Sequence, residues 1–359
     1  MRVVLAYNAK PSARSNIRSE RPQFVVEEEA EPPPTVPGAA EDDDRYAEWD
    51  DHETIIAVAD ALASKYEVRL VEAGPRFAQG ILAARPDLVF NMSEGLEGVS
   101  REALVPAILE LLGVPYTGSD PLTLALCLDK AWTKVMLTHH GVPNAPFFLV
   151  EEGAEPHIPE NFPLPALVKP VHEGSSKGVK DDQLVRTRAE MEDRIRRVAR
   201  DYHQGVIVES FLPGREFTVA VLGNGAKLRI LPPVEILFGV FPEGANPIYS
   251  WEAKWIWDRP ENPLEIFKCP ADLNPSDLAA IQKVCADTVR VLRIRDWARV
   301  DLRMDANGVP NVIEINPLPG ILPRPEMNSC FPKAARATGM QYQDLILAVA
   351  DAARERLGL

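Results

Sequence analysis

The run Val3-Val4-Leu5-Ala6-Tyr7 is unbroken in its apolar character and starts almost at the first residue, the pattern of a short buried strand central to a sheet. From residue 10 to 51 that pattern disappears. Arg and Ser positions give way to Glu27-Glu28-Glu29, Pro32-Pro33-Pro34 and Asp42-Asp43-Asp44, a composition that cannot bury enough apolar surface to offset chain entropy. Most of this stretch is expected to be a flexible insertion: a solvated loop on the plainest reading, a mobile lid or a subunit contact on the others. Periodicity returns over 52–65, where Ile55, Ile56, Ala59, Leu62 and Ala63 recur at helical spacing. A strand at 68–71, a helix at 77–84 and a strand at 88–90 follow. This βαβαβ alternation predicts a parallel sheet with covering helices. A helix over 100–112, with Ser100 as N-cap and Gly113 just past its end, and a turn at Gly118 close an N-terminal unit of residues 1–118.

A helix over 121–140 ends at Gly141 and leads to strands at 146–150 and 166–170. A helix at 188–200 carries several arginines on an exposed face. Together these make a central unit, 119–207. The strand at 205–209 marks the entry to a third unit, 208–359. It holds strands at 217–222 and 228–230, a helix at 275–292, a hairpin from 297 to 315 and a closing helix at 342–356. The chain has no internal repeat.

Composition agrees with this division. A chain of 359 residues, 46% of them hydrophobic, supports two or three domains at about 150 residues each and excludes a disordered or fibrous protein. The 39 Lys and Arg against 53 Asp and Glu, a net charge of -14, argue against a nucleic-acid partner. The excess is local, because residues 27–53 hold twelve acids and one base, Arg45, and so carry -11 of the total. Cys127, Cys269, Cys285 and Cys330 form no CxxC or zinc spacing, which suits a reducing compartment. No window approaches 18 apolar residues and no signal-peptide pattern precedes Val3, so a soluble, cytoplasmic protein without a membrane partner is expected.

The hairpin carries the first chemical signal. Asn307-Gly308 suits a two-residue type I′ turn, whose central positions both need positive φ. With that turn Asp301 faces Glu314 and Arg299 faces Asn316, all four on the face opposite Val300, Leu302, Ile313 and Ile315. Two carboxylates opposed at about 5 Å destabilise a sheet unless something compensates. A hard cation does so economically. Asp301, Glu314 and the Asn316 amide offer oxygens, and Mg²⁺ (or Mn²⁺) takes one or two carboxylates together with substrate phosphates. Arg299 beside them would complement a transferring phosphoryl group. The other reading is a raised carboxyl pKa, or pairing with Arg299 alone. A second signal is the loop that follows the strand at 166–170. In residues 169–179, Gly174 and Gly178 permit close backbone approach, Ser175 and Ser176 offer hydroxyls, and Lys169 and Lys177 offer charge. It is neither a Walker A loop nor a GxGxxG fingerprint. Beside the hairpin it reads as a phosphate-covering loop.

Residues 110–119 (ELLGVPYTGS), Leu128-Asp129-Lys130 with Thr133-Lys134, Glu173-Gly174-Ser175-Ser176, Glu209 with Glu216-Phe217-Thr218-Val219, Glu252-Ala253-Lys254, and Arg299 to Asn316 with Pro319-Gly320 occur in this order. From about residue 87 onward the chain thereby resembles the D-alanine–D-alanine ligase family of ATP-grasp enzymes. The resemblance implies an α/β, three-domain ATP-grasp fold whose N-terminal domain is the parallel α/β (pre-ATP-grasp) one, with ATP and Mg²⁺ as cofactors. It places Lys130 and Lys169 on ATP phosphates, with Glu173 and Ser176 in the loop beside them. Glu209, Ser210 and Leu212 belong to the adenine segment, Glu216 meets the ribose hydroxyls and Lys254 reaches the γ-phosphate. The implied reaction converts a carboxylate to an acyl phosphate that a second substrate's amine displaces. Arg299 would stabilise charge in both steps, and Ser175 would close over them. Ser329, with Gly320 and Cys330, sits where the family binds the second substrate's carboxylate. A homodimer and a place in peptidoglycan biosynthesis are further implications.

Three departures concern the first amino-acid site. Where the family has histidine, glycine and GEDG, this chain has Glu94-Gly95-Leu96-Glu97-Gly98-Val99-Ser100-Arg101-Glu102. Trp255 replaces the usual tyrosine, so its hydroxyl link to Ser175 is expected to be absent. The family's early glutamate, which orients the first amine, has no clear counterpart because of the insertion. Glu94 or Glu97 is therefore expected to take the first ammonium, with Trp255 as a pocket wall and a substrate not necessarily D-alanine. A specialised dipeptide ligase is the nearest alternative. A nucleotide-binding protein without catalysis is disfavoured by the joint presence of Lys130, Lys169, Lys254, Arg299, Asp301, Glu314 and Asn316.

Overall fold

The computed structural model describes residues 1–21, 24, 46–95, 97–258 and 264–359. Strand β1 (Arg2–Tyr7) is the middle of a parallel sheet of order β2-β1-β3, with β2 at Glu67–Glu72 and β3 at Leu88–Asn91. An unbroken apolar strand needs cover on both faces, and β1 has it. Val4 and Ala6 pack toward the helices Phe77–Ala84 and Leu104–Leu112. Val3, Leu5 and Tyr7 share a core with the helix His52–Ala63 and with the last two helices, Cys330–Ala337 and Tyr342–Leu357. The first and last segments of the chain thus build one core. Trp297 fastens it, meeting Phe90 and Phe331 edge-on at 5.7 and 5.8 Å.

The central sheet is antiparallel, in the order β4-β7-β5-β6: β4 is Phe147–Val150, β5 Ala166–Pro170, β6 Leu184–Val185 and β7 Val206–Ser210. Because β7 pairs with both β4 and β5, it completes this sheet, and the expected boundary at 207/208 falls inside a strand. The third sheet has the order β11-β10-β8-β12-β13, with β9 on β8. Its strands are β8 (Glu216–Leu222), β9 (Arg229–Ile230), β10 (Val234–Ile236), β11 (Phe267–Lys268), β12 (Trp297–Met304) and β13 (Pro310–Asn316). The helix Pro275–Leu292 covers its apolar face. No helix among the described residues is long and apolar enough to cross a membrane.

Several local expectations change. The helix expected over 121–140 is two helices, Pro121–Leu128 and Lys130–His139. Asp129 between them has an extended backbone, and its carboxylate accepts the Trp132 N–H at 2.9 Å, an N-cap that starts a new helix at Lys130. Ser100 makes no side-chain cap; a 3₁₀ turn, Arg101–Ala103, precedes the helix Leu104–Leu112. That helix does end at Gly113, which is left-handed with φ 66°.

The stretch expected to be flexible over 10–51 is ordered near both ends. Arg14–Glu20 is a helix anchored by the buried Ile17, and residues 46–51 return to β1. There the Asp50 N–H donates to the Asn8 carbonyl (3.0 Å) and the Lys10 N–H to the Asp50 carbonyl (2.9 Å), a neck that seats Glu48, Trp49 and Asp50 at the sheet's C-terminal edge. The acidic runs at 27–31 and 41–44, with the flexibility expected of them, lie outside the described residues.

The hairpin reaches its expected register by an unexpected route. The Asp305 N–H donates to the Val309 carbonyl at 2.9 Å, closing a three-residue loop in which Gly308 (φ 77°) has positive φ and Asn307 does not. The Asp305 carboxylate accepts the Asn307 and Val309 N–H groups at 2.8 and 2.9 Å, which favours this turn over a type I′ pair. Met304, Arg303 and Leu302 then pair with Pro310, Asn311 and Val312. A bulge at Ile313 adds one residue, so Asp301 faces Glu314 and Arg299 faces Asn316 after all. Val312, not Ile313, joins the core, and Ile313 lines the cavity described next.

Candidate active site

The three sheets enclose a cavity of about 490 Å³. One wall is cationic. Lys130, placed first in its helix by the Asp129 cap, pairs with Glu314 at 2.8 Å and donates to the Glu173 carbonyl. On β5 and β7 Leu167 faces Glu209, so Lys169 lies diagonally across from that carboxylate and pairs with it at 3.0 Å. Lys134, one turn beyond Lys130, pairs with the same carboxylate at 3.3 Å. Burial alone would raise the Glu209 pKa, yet the two ammonium groups hold it below the usual carboxylate range. Sequence reasoning quoted Lys134 without giving it a role; its spacing of four from Lys130 was the available signal.

Further along the same wall Ser210 and Leu212 line the cavity, and Glu216 opens β8. Its cross-strand partner Arg303 pairs with it at 2.8 Å and stacks over Phe211 and Phe238 at 4.4 and 4.9 Å. Burial raises the Glu216 pKa in spite of that partner. Arg303 was missed, although it shares a strand face with Arg299 and Asp301.

On the hairpin Arg299 pairs with Asp301 at 2.9 Å, and the Asn316 amide donates to Asp301 at 3.2 Å. The opposed carboxylates are therefore compensated by Arg299 and Lys130. Against the raising effect of burial, Lys130 and Lys169 hold the Glu314 pKa low. Among the described residues no group of three His, Cys, Asp or Glu side chains converges. The hairpin instead presents two carboxylates and one amide to the cavity, oxygen donors suited to a hard cation that completes its shell from phosphates.

The loop after β5 crosses the cavity with Ser175 and Ser176 in left-handed conformation, φ 51° and 61°. Non-glycine residues hold such φ values only where surrounding contacts impose them. The Ser176 hydroxyl donates to the Tyr249 carbonyl (2.9 Å), and Glu173 binds Lys177 (2.5 Å) and the Gln204 amide (2.9 Å). The link expected to be lost with tyrosine is present in another form: the Trp255 indole N–H donates to the Ser175 carbonyl at 3.2 Å. The Lys10 and Lys254 ammonium groups lie 5.7 and 5.3 Å from the centre of the same ring. Burial, and then the neighbouring Arg299, lowers the Lys254 pKa to about 8.

An early glutamate, Glu48, does stand at the cavity, where it holds the loop. Its carboxylate receives Arg101 through both oxygens (2.9 Å each), the Gly174 N–H (2.9 Å) and Lys177 (3.0 Å), clamping the 173–178 loop to the N-terminal segment. Arg101 also donates to the His172 carbonyl at 2.7 Å. The signal was hidden because the excursion separates Glu48 from β1 in sequence and the neck restores it in space. Glu94 lines the cavity, whereas Glu97 is exposed and does not.

At the opposite end Gly320, Ser329 and Cys330 line the cavity. The Ser329 hydroxyl donates to the Gly320 carbonyl (3.0 Å) and accepts the Leu322 N–H (3.2 Å). Burial pushes the Cys330 thiol up to about 12. Asp258 accepts the Asn328 amide at 2.7 Å, tying the Lys254 segment to this end.

The family described as D-ala D-ala ligase C-terminus matches residues 136–350. A D-alanine–D-alanine ligase of Bordetella pertussis is 36% identical over 289 residues, 80% of this chain and 85% of that protein. An uncharacterized protein of Sinorhizobium fredii is 37% identical over 275 residues, 77% of each chain. The crystal structure of D-alanine–D-alanine ligase from Bacillus anthracis complexed with ATP superposes with a TM-score of 0.68 at 19% identity, covering 99% of this chain and 98% of that one. The ATP-grasp architecture and the extent of this similarity lead to one conclusion: the chain belongs to the D-alanine–D-alanine ligase family.

Proposed function

We propose that the chain is an ATP-dependent ligase that joins two amino acids through an acyl phosphate. The observation that carries this reading is the convergence of Lys130, Lys169, Lys254 and Arg299 on one cavity, opposite the oxygen donors of the hairpin. Lys130 and Lys169 neutralise the triphosphate; the segment 209–212 and Glu216 bind adenine and ribose. Asp301, Glu314 and Asn316 would hold Mg²⁺, which would supply positive charge to the transferring phosphoryl group.

The first substrate's carboxylate oxygen attacks the γ-phosphorus, and the bond to the β,γ-bridging oxygen breaks to release ADP. The second substrate's amine nitrogen then attacks the acyl carbon; phosphate leaves, the amine loses a proton and an amide forms. Arg299 stabilises the oxyanion charge in each transition state. The 173–178 loop, fixed by Glu48 and Trp255, keeps water from the acyl phosphate. Glu94 faces the first substrate's ammonium, and Ser329 the second substrate's carboxylate.

A screen of phosphate release over pairs of D- and L-amino acids with MgATP, with product masses measured, tests the reading. Dipeptide formed in step with ADP is the expected result, and ATP binding with no turnover for any pair would refute it. The depressed Lys254 pKa adds a signed expectation. The ammonium is charged below about 8 and neutral above it, so the Michaelis constant for ATP should rise as pH passes through 8. Steady-state measurements from pH 6.5 to 9.5 check this, and Lys254→Met should flatten the profile.

A further inference from the structure

The first-substrate end of the cavity holds more carboxyl groups than the described cations around it can pair. Asp50, Glu94 and Glu102 line it beside Glu48. The nearby cations are already committed. Arg101 and Lys177 are matched by Glu48 and Glu173, Lys130 by Glu314, and Lys10 faces Asp50. Glu94 and Glu102 have no hydrogen-bond or ion-pair partner among the described residues. Glu102 is only 8% exposed, so it is an unpartnered carboxyl more than nine-tenths buried at the wall of a cavity.

A buried carboxylate is costly without a partner, and two that repel one another are more so. Burial and then Glu102 drive the Glu94 pKa well above the usual range; burial raises that of Glu102 to about 8, with Glu48 and Glu314 adding to it. Among the described residues only Arg101, which acts on both, and Lys130, which acts on Glu102, oppose this; each is already paired, Arg101 with Glu48 and the His172 carbonyl and Lys130 with Glu314. Glu48 itself, with its oxygens occupied by Arg101, Gly174 and Lys177, is a clamp for the loop rather than a receptor for an ammonium.

We infer that the first substrate is an amino acid with a second cationic group on its side chain, the α-ammonium meeting one of Glu94 and Glu102 and the side-chain cation the other. This rests on the ligase reading above and names its substrate class. A charge-assisted contact at a desolvated carboxylate is strong, and an isostere without the charge leaves the acid unpaired.

The test measures kcat/KM for diaminopropionate, ornithine and lysine, in both enantiomers, against alanine as first substrate. Each is paired with D- or L-alanine as second substrate, and fragmentation of the product identifies the N-terminal residue. The wild type should favour a diamino acid in that position by about tenfold or more, and Nδ-acetylornithine should lose the advantage of ornithine. Glu102→Gln should reduce the ratio of diamino acid to alanine by about tenfold. If Glu102→Gln does not fold, the comparison of ornithine with its acetylated form decides alone. Turnover of alanine pairs with no diamino preference overturns this inference and leaves the ligase reading standing. Absence of turnover with every pair overturns the ligase reading itself.

Discussion

Replacing Arg299 by alanine should lower kcat by roughly 10² to 10³ while leaving ATP affinity within a few-fold of wild type. The guanidinium lies on the cavity face of β12, held by Asp301 through Nη2 at 2.9 Å and Nε at 3.0 Å. That pairing leaves further donors to meet an oxygen that gains charge only as the phosphoryl group transfers or the tetrahedral centre forms. A contact made only in the transition state appears in kcat, whereas one made equally to bound ATP would appear in KM. Pre-steady-state release of ADP and nucleotide titration separate the two. A kcat within about tenfold of wild type would place the oxyanion elsewhere.

Glu209→Ala is expected to produce the largest loss of stability, about 3 to 5 kcal/mol, because it leaves Lys134 and Lys169 buried without their shared counter-charge. Urea unfolding of wild type and variant at pH 7 measures it. The sign of the pH dependence follows from the two ammonium groups. They hold the folded Glu209 pKa below its unfolded value, so its stabilisation is fully present above the ordinary carboxylate range and is lost as pH falls through the folded value. The gap between wild type and variant should therefore narrow in acid. A constant gap from pH 7 to pH 3 would contradict the triad as described.

Much of the scaffold was legible because short-range patterns determine it. The apolar run at β1, the helix Phe77–Ala84 and the helix Pro275–Leu292 follow directly from hydrophobic period. The hairpin gives a different lesson. Its register was expected from a two-residue turn that does not form, and Asp301 still faces Glu314 because the bulge at Ile313 cancels the longer loop. Asp305, which selects that loop by receiving two backbone N–H groups, was the unread residue.

Other features were beyond local pattern. Glu48 reaches the site because Asp50 rejoins Asn8 and Lys10, a contact between positions about forty residues apart that composition cannot reveal. Trp255 was read as the loss of a hydroxyl; the indole N–H found the Ser175 carbonyl instead. Side-chain identity there suggested a missing link, and only backbone geometry supplies the replacement.

The shared core of the first and last segments has a consequence for biosynthesis. As the chain leaves the ribosome, β1 is made well before the helices Cys330–Ala337 and Tyr342–Leu357, yet the face bearing Val3, Leu5 and Tyr7 has its full cover only after they are translated. Synthesis at about 5 to 20 residues per second leaves that apolar face waiting for on the order of tens of seconds. A chain cut before Cys330–Ala337 would leave this face of β1 without the cover that those helices supply.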